Sequence, residues 1–132
     1  MDATGVPVLI VDDQAPFRSA ARAVVSVTPG FTVVGEAESG EEAVALVEDL
    51  SPGLVLMDIN MPGIDGYEAT RKITRAHPDT LVVLVSTYAR GDLADDAHSC
   101  GARAYVNKEE LAPGVLRELW EAGGDPAWAG SG

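Results

Sequence analysis

The apolar residues of this chain fall into two kinds of pattern that alternate along its length. Val8-Leu9-Ile10-Val11, Leu54-Val55-Leu56-Met57 and Leu81-Val82-Val83-Leu84-Val85 are unbroken apolar runs, as expected of strands buried on both faces. Phe31-Thr32-Val33-Val34-Gly35 is rich in β-branched and aromatic residues, and Arg103-Ala104-Tyr105-Val106, the least apolar run, completes a set of five strands. Between the strands the period lengthens to that of a helix. Phe17, Ala20, Ala21, Val24 and Val25 form one stripe, with Pro16 acceptable in the first turn. Ser39 and Glu42 have capping-box spacing ahead of Ala43, Leu46, Val47 and Leu50, and Pro52-Gly53 ends that helix. A third helix is predicted from about Asp65 to Ala76, stopped by Pro78. Leu93, Ala97 and Cys100 mark a short fourth helix ending at Gly101, with Asp92, Asp95 and Asp96 on its solvated face. Leu111, Val115 and Leu119 stripe the fifth, whose start is obscured by Pro113 and Gly114.

Strands and helices that alternate in this way imply an α/β fold, a parallel sheet covered by helices on both faces and joined by right-handed crossovers. The pattern supports one folded unit over residues 6–121. Residues 122–132 have no periodicity and read as a flexible tail or linker.

Composition narrows the class of partner. With 21 acidic and 9 basic residues the formal net charge is −12, which disfavours nucleic-acid phosphates and anionic membranes and favours basic surfaces or cations. One cysteine, Cys100, excludes an intramolecular disulfide framework and suits a reducing cytosol. No apolar stretch approaches the roughly 20 residues of a membrane span, and the first residues lack the pattern of a signal peptide. The expectation is a cytoplasmic protein without membrane insertion.

The candidate chemistry sits where the apolar runs stop. Asp12 and Asp13 close the first run and Asp58 closes the third. If both runs are parallel strands of one sheet, all three acids emerge at its carboxyl edge, where open α/β sheets bind ligands. Three like charges in one crevice repel, and a hard divalent cation with oxygen ligands relieves them. These acids therefore suggest a Mg²⁺ pocket, with Asp58 set apart for chemistry. Taken singly, Asp12-Asp13 also fits a turn or helix cap and Asp58 a solvated strand end. No G-x-G-x-x-G or G-x-x-x-x-G-K sequence supports nucleotide binding.

Asp12-Asp13, the segment Met57-Asp58-Ile59-Asn60-Met61-Pro62-Gly63-Ile64-Asp65-Gly66, Ser86 after the fourth strand, and Tyr105-Val106-Asn107-Lys108 fall in order at strand ends. Together they closely resemble the receiver domain of bacterial two-component response regulators, over about residues 6 to 121. The resemblance implies a flavodoxin-like (βα)5 doubly wound sheet of order 2-1-3-4-5. It implies that Asp58 is the phosphoacceptor, with Asp12, Asp13, Asp58 and the backbone carbonyl of Asn60 around Mg²⁺, Asp13 directly and Asp12 partly through water. Lys108 would meet the phosphoryl oxygens, Ser86 would hydrogen-bond them, with Thr87 as the competing hydroxyl, and Ser86 with Tyr105 would form the switch. Thr87 departs from the small residue usual after that hydroxyl, and Asn60 and Tyr88 occupy positions that tune phosphoryl lifetime. Glu109 stands where many members carry proline. His77 and His98 are read as surface residues, Cys100 as packed and chemically quiet, and Trp120 and Trp128 as partner contacts or, for Trp120, a partly buried helix residue.

The function so implied is a single-domain response regulator of a phosphorelay. It would catalyse only its own phosphorylation and dephosphorylation, with a sensor histidine kinase upstream and an unidentified protein downstream. That protein would read the face of the fourth helix, fifth strand and fifth helix, which also offers a homodimer contact. The alternatives are a phosphorylation-independent pseudo-receiver, to which Thr87 lends support, and a haloacid-dehalogenase-like phosphatase, from which Asn60 departs where that family has a second acid.

Overall fold

The computed structural model describes residues 5–88, 93, 96–125 and 128. Five strands, β1 (Val6–Val11), β2 (Phe31–Ala37), β3 (Leu54–Asp58), β4 (Leu81–Ser86) and β5 (Ala104–Asn107), alternate with five helices, α1 (Ala15–Ser26), α2 (Gly40–Leu50), α3 (Gly66–Ala76), α4 (Asp96–Ser99) and α5 (Pro113–Ala122). The strands form one parallel sheet in the order β2-β1-β3-β4-β5. The chain order reverses between β1 and β3, so the loops leaving these two strands diverge and open a crevice at their carboxyl ends.

Alternation along the strands builds two apolar layers. Leu9, Val11, Val55, Met57, Val82, Leu84 and Tyr105 pack against α2, α3 and α4 through Ala43, Val47, Ala69, Ile73, Ala97 and Cys100. Val8, Ile10, Leu54, Leu56, Val83, Val85 and Val106 pack on the other face against Ala21 and Val25 of α1 and Leu116 of α5. Every residue of β3 and β4 is buried, as their unbroken apolar runs require. Among the described residues no helix is long and apolar enough to cross a membrane.

Local chemistry sets the helix boundaries. The Ser39 hydroxyl accepts from the Glu42 N–H, but the Glu42 carboxylate accepts from the Glu38 N–H, one residue earlier than a reciprocal capping box. Asp65, expected as the first residue of α3, is its N-cap and accepts from the Glu68 N–H. Pro113 occupies the first turn of α5, preceded by a 3₁₀ turn at Lys108–Glu110. This start rotates the helix so that Leu116, outside the expected stripe, is its fully buried residue, while Leu111, Val115 and Leu119 are half-buried. Ala20 of the predicted α1 stripe is exposed. β2 runs two residues beyond its expected end, and a bulge opposite Val8 and Leu9 leaves Val34 unpaired in the register.

The C-terminal segment differs from the expected flexible tail. Ala122 still belongs to α5, and Trp128 is buried, 4% exposed. Residues 126, 127 and 129–132 lie outside the described set, as do Asp92, Asp95 and the side chain of Asp96, on which the expected solvated face of the fourth helix rested.

Candidate functional site

The parallel registers carry the acids to one place. Val11 pairs with Met57, so Asp12 and Asp58 emerge side by side from β1 and β3, and Asp58 pairs with Val85, immediately before Ser86. Carboxylate oxygens of Asp12, Asp13 and Asp58 all lie within 4.8 Å of one another. Asp12 is fully buried, Asp58 is 5% exposed, and Asp13 is exposed at the mouth.

Each acid is differently held. Asp12 Oδ1 accepts from the Gln14 N–H at 2.8 Å, which turns the chain into α1. Its Oδ2 lies 2.6 Å from the Lys108 ammonium, outside hydrogen-bond geometry, so this buried oxygen depends on a cation for compensation. Asp58 Oδ1 accepts from the Ile59 N–H at 2.9 Å and lies 3.5 Å from Lys108 Nζ. Burial, and then the Asp12 charge, push the Asp58 carboxyl up from 3.8 to about 6, against the pull of Lys108 and the Ile59 N–H, while Asp13 adds a smaller upward push. Three convergent carboxylates with a buried oxygen lacking a hydrogen bond fit a hard divalent cation with oxygen ligands. The chelating edge faces solvent through Asp13.

Lys108 spans the pocket from the far side, where the chain leaves β5. Its ammonium also lies 4.6 Å from the centre of the Phe17 ring, a cation–π contact beside the acids. Beneath the pocket, the Arg18 guanidinium donates to the Asp12 carbonyl at 2.7 Å and pairs with Glu36 at 3.2 Å. Neither Phe17 nor Arg18 stood out in the sequence as a site residue. Phe17 was legible only as a helix-stripe position, and the partners of Arg18 become neighbours only when β2 lies beside β1.

The loop after Asp58 is held closely. The Gly66 N–H donates to the Ile59 carbonyl at 2.8 Å, and a Cβ on Gly66 would come within 2.1 Å of the Asp58 carbonyl oxygen. Glycine is therefore required where α3 starts against the site. Glu41 of α2 accepts from the Ile64 N–H at 3.1 Å, a second strap that was not apparent from sequence.

Across the mouth, the Asn60 side-chain amide donates to the Tyr88 hydroxyl at 2.7 Å. Ser86 is buried and its hydroxyl accepts from the Tyr88 N–H at 3.1 Å, whereas Thr87 is exposed. Tyr105 lies on the edge strand but is enclosed. It is 3% exposed, and its hydroxyl donates to the Ser86 carbonyl at 3.0 Å and to the Tyr88 carbonyl. The Asn107 amide donates to the Tyr88 and Thr87 carbonyls at 3.2 and 3.4 Å. Thus Ser86, Tyr88, Tyr105 and Asn107 form one hydrogen-bonded group beside the acids. The structure brings together Asp12, Asp13, Asp58 and Lys108 directly, and places Ser86 and Tyr105 at the adjoining strand ends.

The other residues singled out in the sequence lie apart. His77 caps α3 and approaches Glu48 at 2.6 Å, and Cys100 is buried with its thiol against the Ala97 carbonyl. Trp120 is 38% exposed and meets Phe31 edge to face.

A doubly wound parallel sheet with a lysine-bridged acidic pocket at its switch point defines an α/β domain with a ligand crevice at the carboxyl ends of its strands. Residues 8–120 match the response regulator receiver domain family, and the chain belongs to it. It is 42% identical over 103 residues to the response regulator GacA of Pseudomonas protegens, covering 78% of this chain and 48% of that one. It is 38% identical over 114 residues to the transcriptional regulatory protein DegU of Brevibacillus brevis, covering 86% and 48%. The chain thus spans about half the length of the curated relatives it matches. The response regulator domain of Thermotoga maritima CheB superposes with a TM-score of 0.81 at 31% identity, covering 92% of this chain and 99% of that domain.

Proposed function

We propose that this chain works as the phosphoaccepting receiver of a phosphorelay, with a receiver unit over residues 6–121 and Asp58 as phosphoacceptor. The observation that carries this reading is the Lys108 ammonium, 2.6 Å from Asp12 and 3.5 Å from Asp58 beside three convergent carboxylates. A pocket built in this way holds a metal and a phosphoryl group together, because it offers acids to the one and a mobile cation to the other.

The chemistry follows from the site's charges. Asp58 Oδ1 is held by the Ile59 N–H and faced by Lys108, so Oδ2 is the oxygen that attacks phosphorus. The bond from phosphorus to the imidazole nitrogen of a kinase phosphohistidine breaks as the bond to Asp58 forms. Asp12, Asp13 and Asp58 with the Asn60 carbonyl would hold Mg²⁺, which when bound would neutralise charge on the phosphoryl oxygens. Lys108 releases Asp12 and follows the new negative charge, and the Ser86 hydroxyl, which accepts from the Tyr88 N–H, donates its own proton to a phosphoryl oxygen. Phosphorylation adds roughly −1.5 to −2 charges, and the group of Ser86, Tyr88, Tyr105 and Asn107 responds to it as the switch. Hydrolysis by water returns Asp58, and the size and polarity of Asn60 and Tyr88, bridged across the mouth, tune the access of that water.

The partners implied are a sensor histidine kinase and a downstream protein that reads the surface of α4, β5 and α5, with a homodimer through the same face as a further mode. The chain's own surface, with net charge −12, does not suit direct nucleic-acid contact. A cytoplasmic location agrees with this chemistry. The test is beryllofluoride with Mg²⁺, followed by tryptophan fluorescence and isothermal titration. Saturable, Mg²⁺-dependent binding that Asp58→Asn abolishes is expected. No binding to the wild type would select the phosphorylation-independent interaction module instead.

A further inference from the structure

Beyond α5 the chain turns back over the open edge of the sheet. Gly123, at φ 71°, caps α5, and Gly124, at φ 129°, sends its N–H to the Leu119 carbonyl at 2.9 Å. The Asp125 N–H then donates to the Arg103 carbonyl at 2.9 Å, and the Arg103 N–H donates inward to Val82 of β4. The returning segment therefore covers the entry to β5, the otherwise unprotected edge of the sheet. Trp128 lies in the apolar layer formed with Ala97, Cys100, Ala102 and Tyr105. The indole N–H donates to the Ala102 carbonyl at 3.2 Å, and the ring stacks on His98 at 3.9 Å between centroids. The Tyr105 ring lies 6.4 Å from it at 27°.

We propose that Trp128 is an intramolecular latch that occupies the groove between α4 and β5 and holds the Tyr105 ring in its buried position. The docked indole covers the Tyr105 ring at 6.4 Å between centroids and so blocks its movement toward solvent on that side, and the buried ring in turn forms part of the surface on which Trp128 stacks. Tyr105 also lines a cleft of about 480 Å³ with Val106, Val115, Leu119 and Asp125. The latch thus joins three places: the hydroxyl bonds to the carbonyls of Ser86 and Tyr88, the groove under Trp128, and the cleft on the β5–α5 side. A partner that inserts an aromatic side chain between α4 and β5 must displace Trp128, so the latch competes with it for that groove. Coupling is reciprocal: whatever favours buried Tyr105 favours a docked Trp128, and the converse.

Only the connection to Asp58 rests on the proposed phosphoacceptor. The experiment uses Trp120→Phe, which leaves Trp128 as the sole tryptophan, and reads acrylamide quenching of its emission. Trp128 is expected to be shielded in this protein and accessible when Gly124→Val is added. A Cβ at Gly124 would lie 2.7 Å from the Arg103 Cβ, so that substitution unseats the segment without altering the indole. Tyr105→Ala is expected to raise quenching of Trp128, with far-UV circular dichroism confirming that each variant folds. An indole in the Trp120→Phe protein that is as accessible as free tryptophan overturns the latch, as does quenching unchanged by Tyr105→Ala. These two readouts do not involve Asp58. In the third, Gly124→Val and Trp128→Ala are each expected to weaken binding of Mg²⁺ and beryllofluoride by about five- to tenfold. Wild-type affinity in both variants overturns the coupling, whereas absence of beryllofluoride binding to the wild type counts against the phosphoacceptor reading and leaves the quenching results to decide the latch.

Discussion

Replacing Asp58 by asparagine in the metal-free protein is predicted to make the fold more stable, because the site spends stability to keep a carboxylate where chemistry needs it. The native state holds the Asp58 proton up to about pH 6, whereas an unfolded chain releases it near 3.8. Between these values the native state binds more protons, so this group's contribution to stability falls as pH rises through the window and is at its most unfavourable above it. The difference corresponds to about 3 kcal/mol at neutral pH. Asparagine removes the buried charge and its repulsion from Asp12, and its carbonyl oxygen still accepts from the Ile59 N–H; the attraction to Lys108 at 3.5 Å is lost, which trims the gain. Asp58→Asn should therefore raise unfolding free energy by about 2–3 kcal/mol, a shift in Tm of roughly 10 °C for a chain of this length. Urea denaturation in EDTA, at about pH 7.5 and again at about pH 4, separates the causes. The gain should be present at the higher pH and mostly gone at the lower, where native Asp58 is protonated and the unfolded chain, titrating near 3.8, is partly so. A variant no more stable than wild type at neutral pH, or a gain independent of pH, would refute the assignment of burial and Asp12 as the sources of strain.

Other consequences follow from the same geometry. Mg²⁺ should stabilise the wild type by about 2.7 kcal/mol at a hundredfold excess over its dissociation constant, and thermal melts should show much less effect in Asp13→Asn. Lys108→Ala should retain Mg²⁺ binding by titration but transmit phosphorylation poorly in a phosphorylation-dependent binding assay. It should also move the Asp58 carboxyl above about 6, since Lys108 now holds it down. Gly66→Ala places a methyl group 2.1 Å from the Asp58 carbonyl and should destabilise the fold by at least about 2 kcal/mol in urea titrations.

The parts of this structure that can be read from sequence are those fixed by local pattern. β1, β3 and β4 announce themselves because burial on both faces demands unbroken apolar runs, and the acids that end β1 and β3 stand out against them. Asp12, Asp13, Asp58 and Lys108 come together because parallel register places strand ends side by side. What escaped depends on neighbours distant in sequence or on a shifted frame. Leu116 replaced the expected stripe of α5 because Pro113 sets where the helix starts. Arg18 and Phe17 acquire roles only when α1 is laid against Glu36 and Lys108. Trp128 lies in a stretch without periodicity, and a single aromatic anchor leaves no repeating signal. Its burial explains why Tyr105, on an edge strand, is nevertheless enclosed.

Phosphorylation of Asp58 with Mg²⁺ as cofactor is read out by the intact mass of the protein after incubation with acetyl phosphate, with Mg²⁺ and with EDTA. The wild type should gain the mass of one phosphoryl group only with Mg²⁺, the adduct should be labile to hydroxylamine as an acyl phosphate is, and Asp58→Asn should gain none. An unmodified wild type, or an adduct that persists in Asp58→Asn, would contradict it.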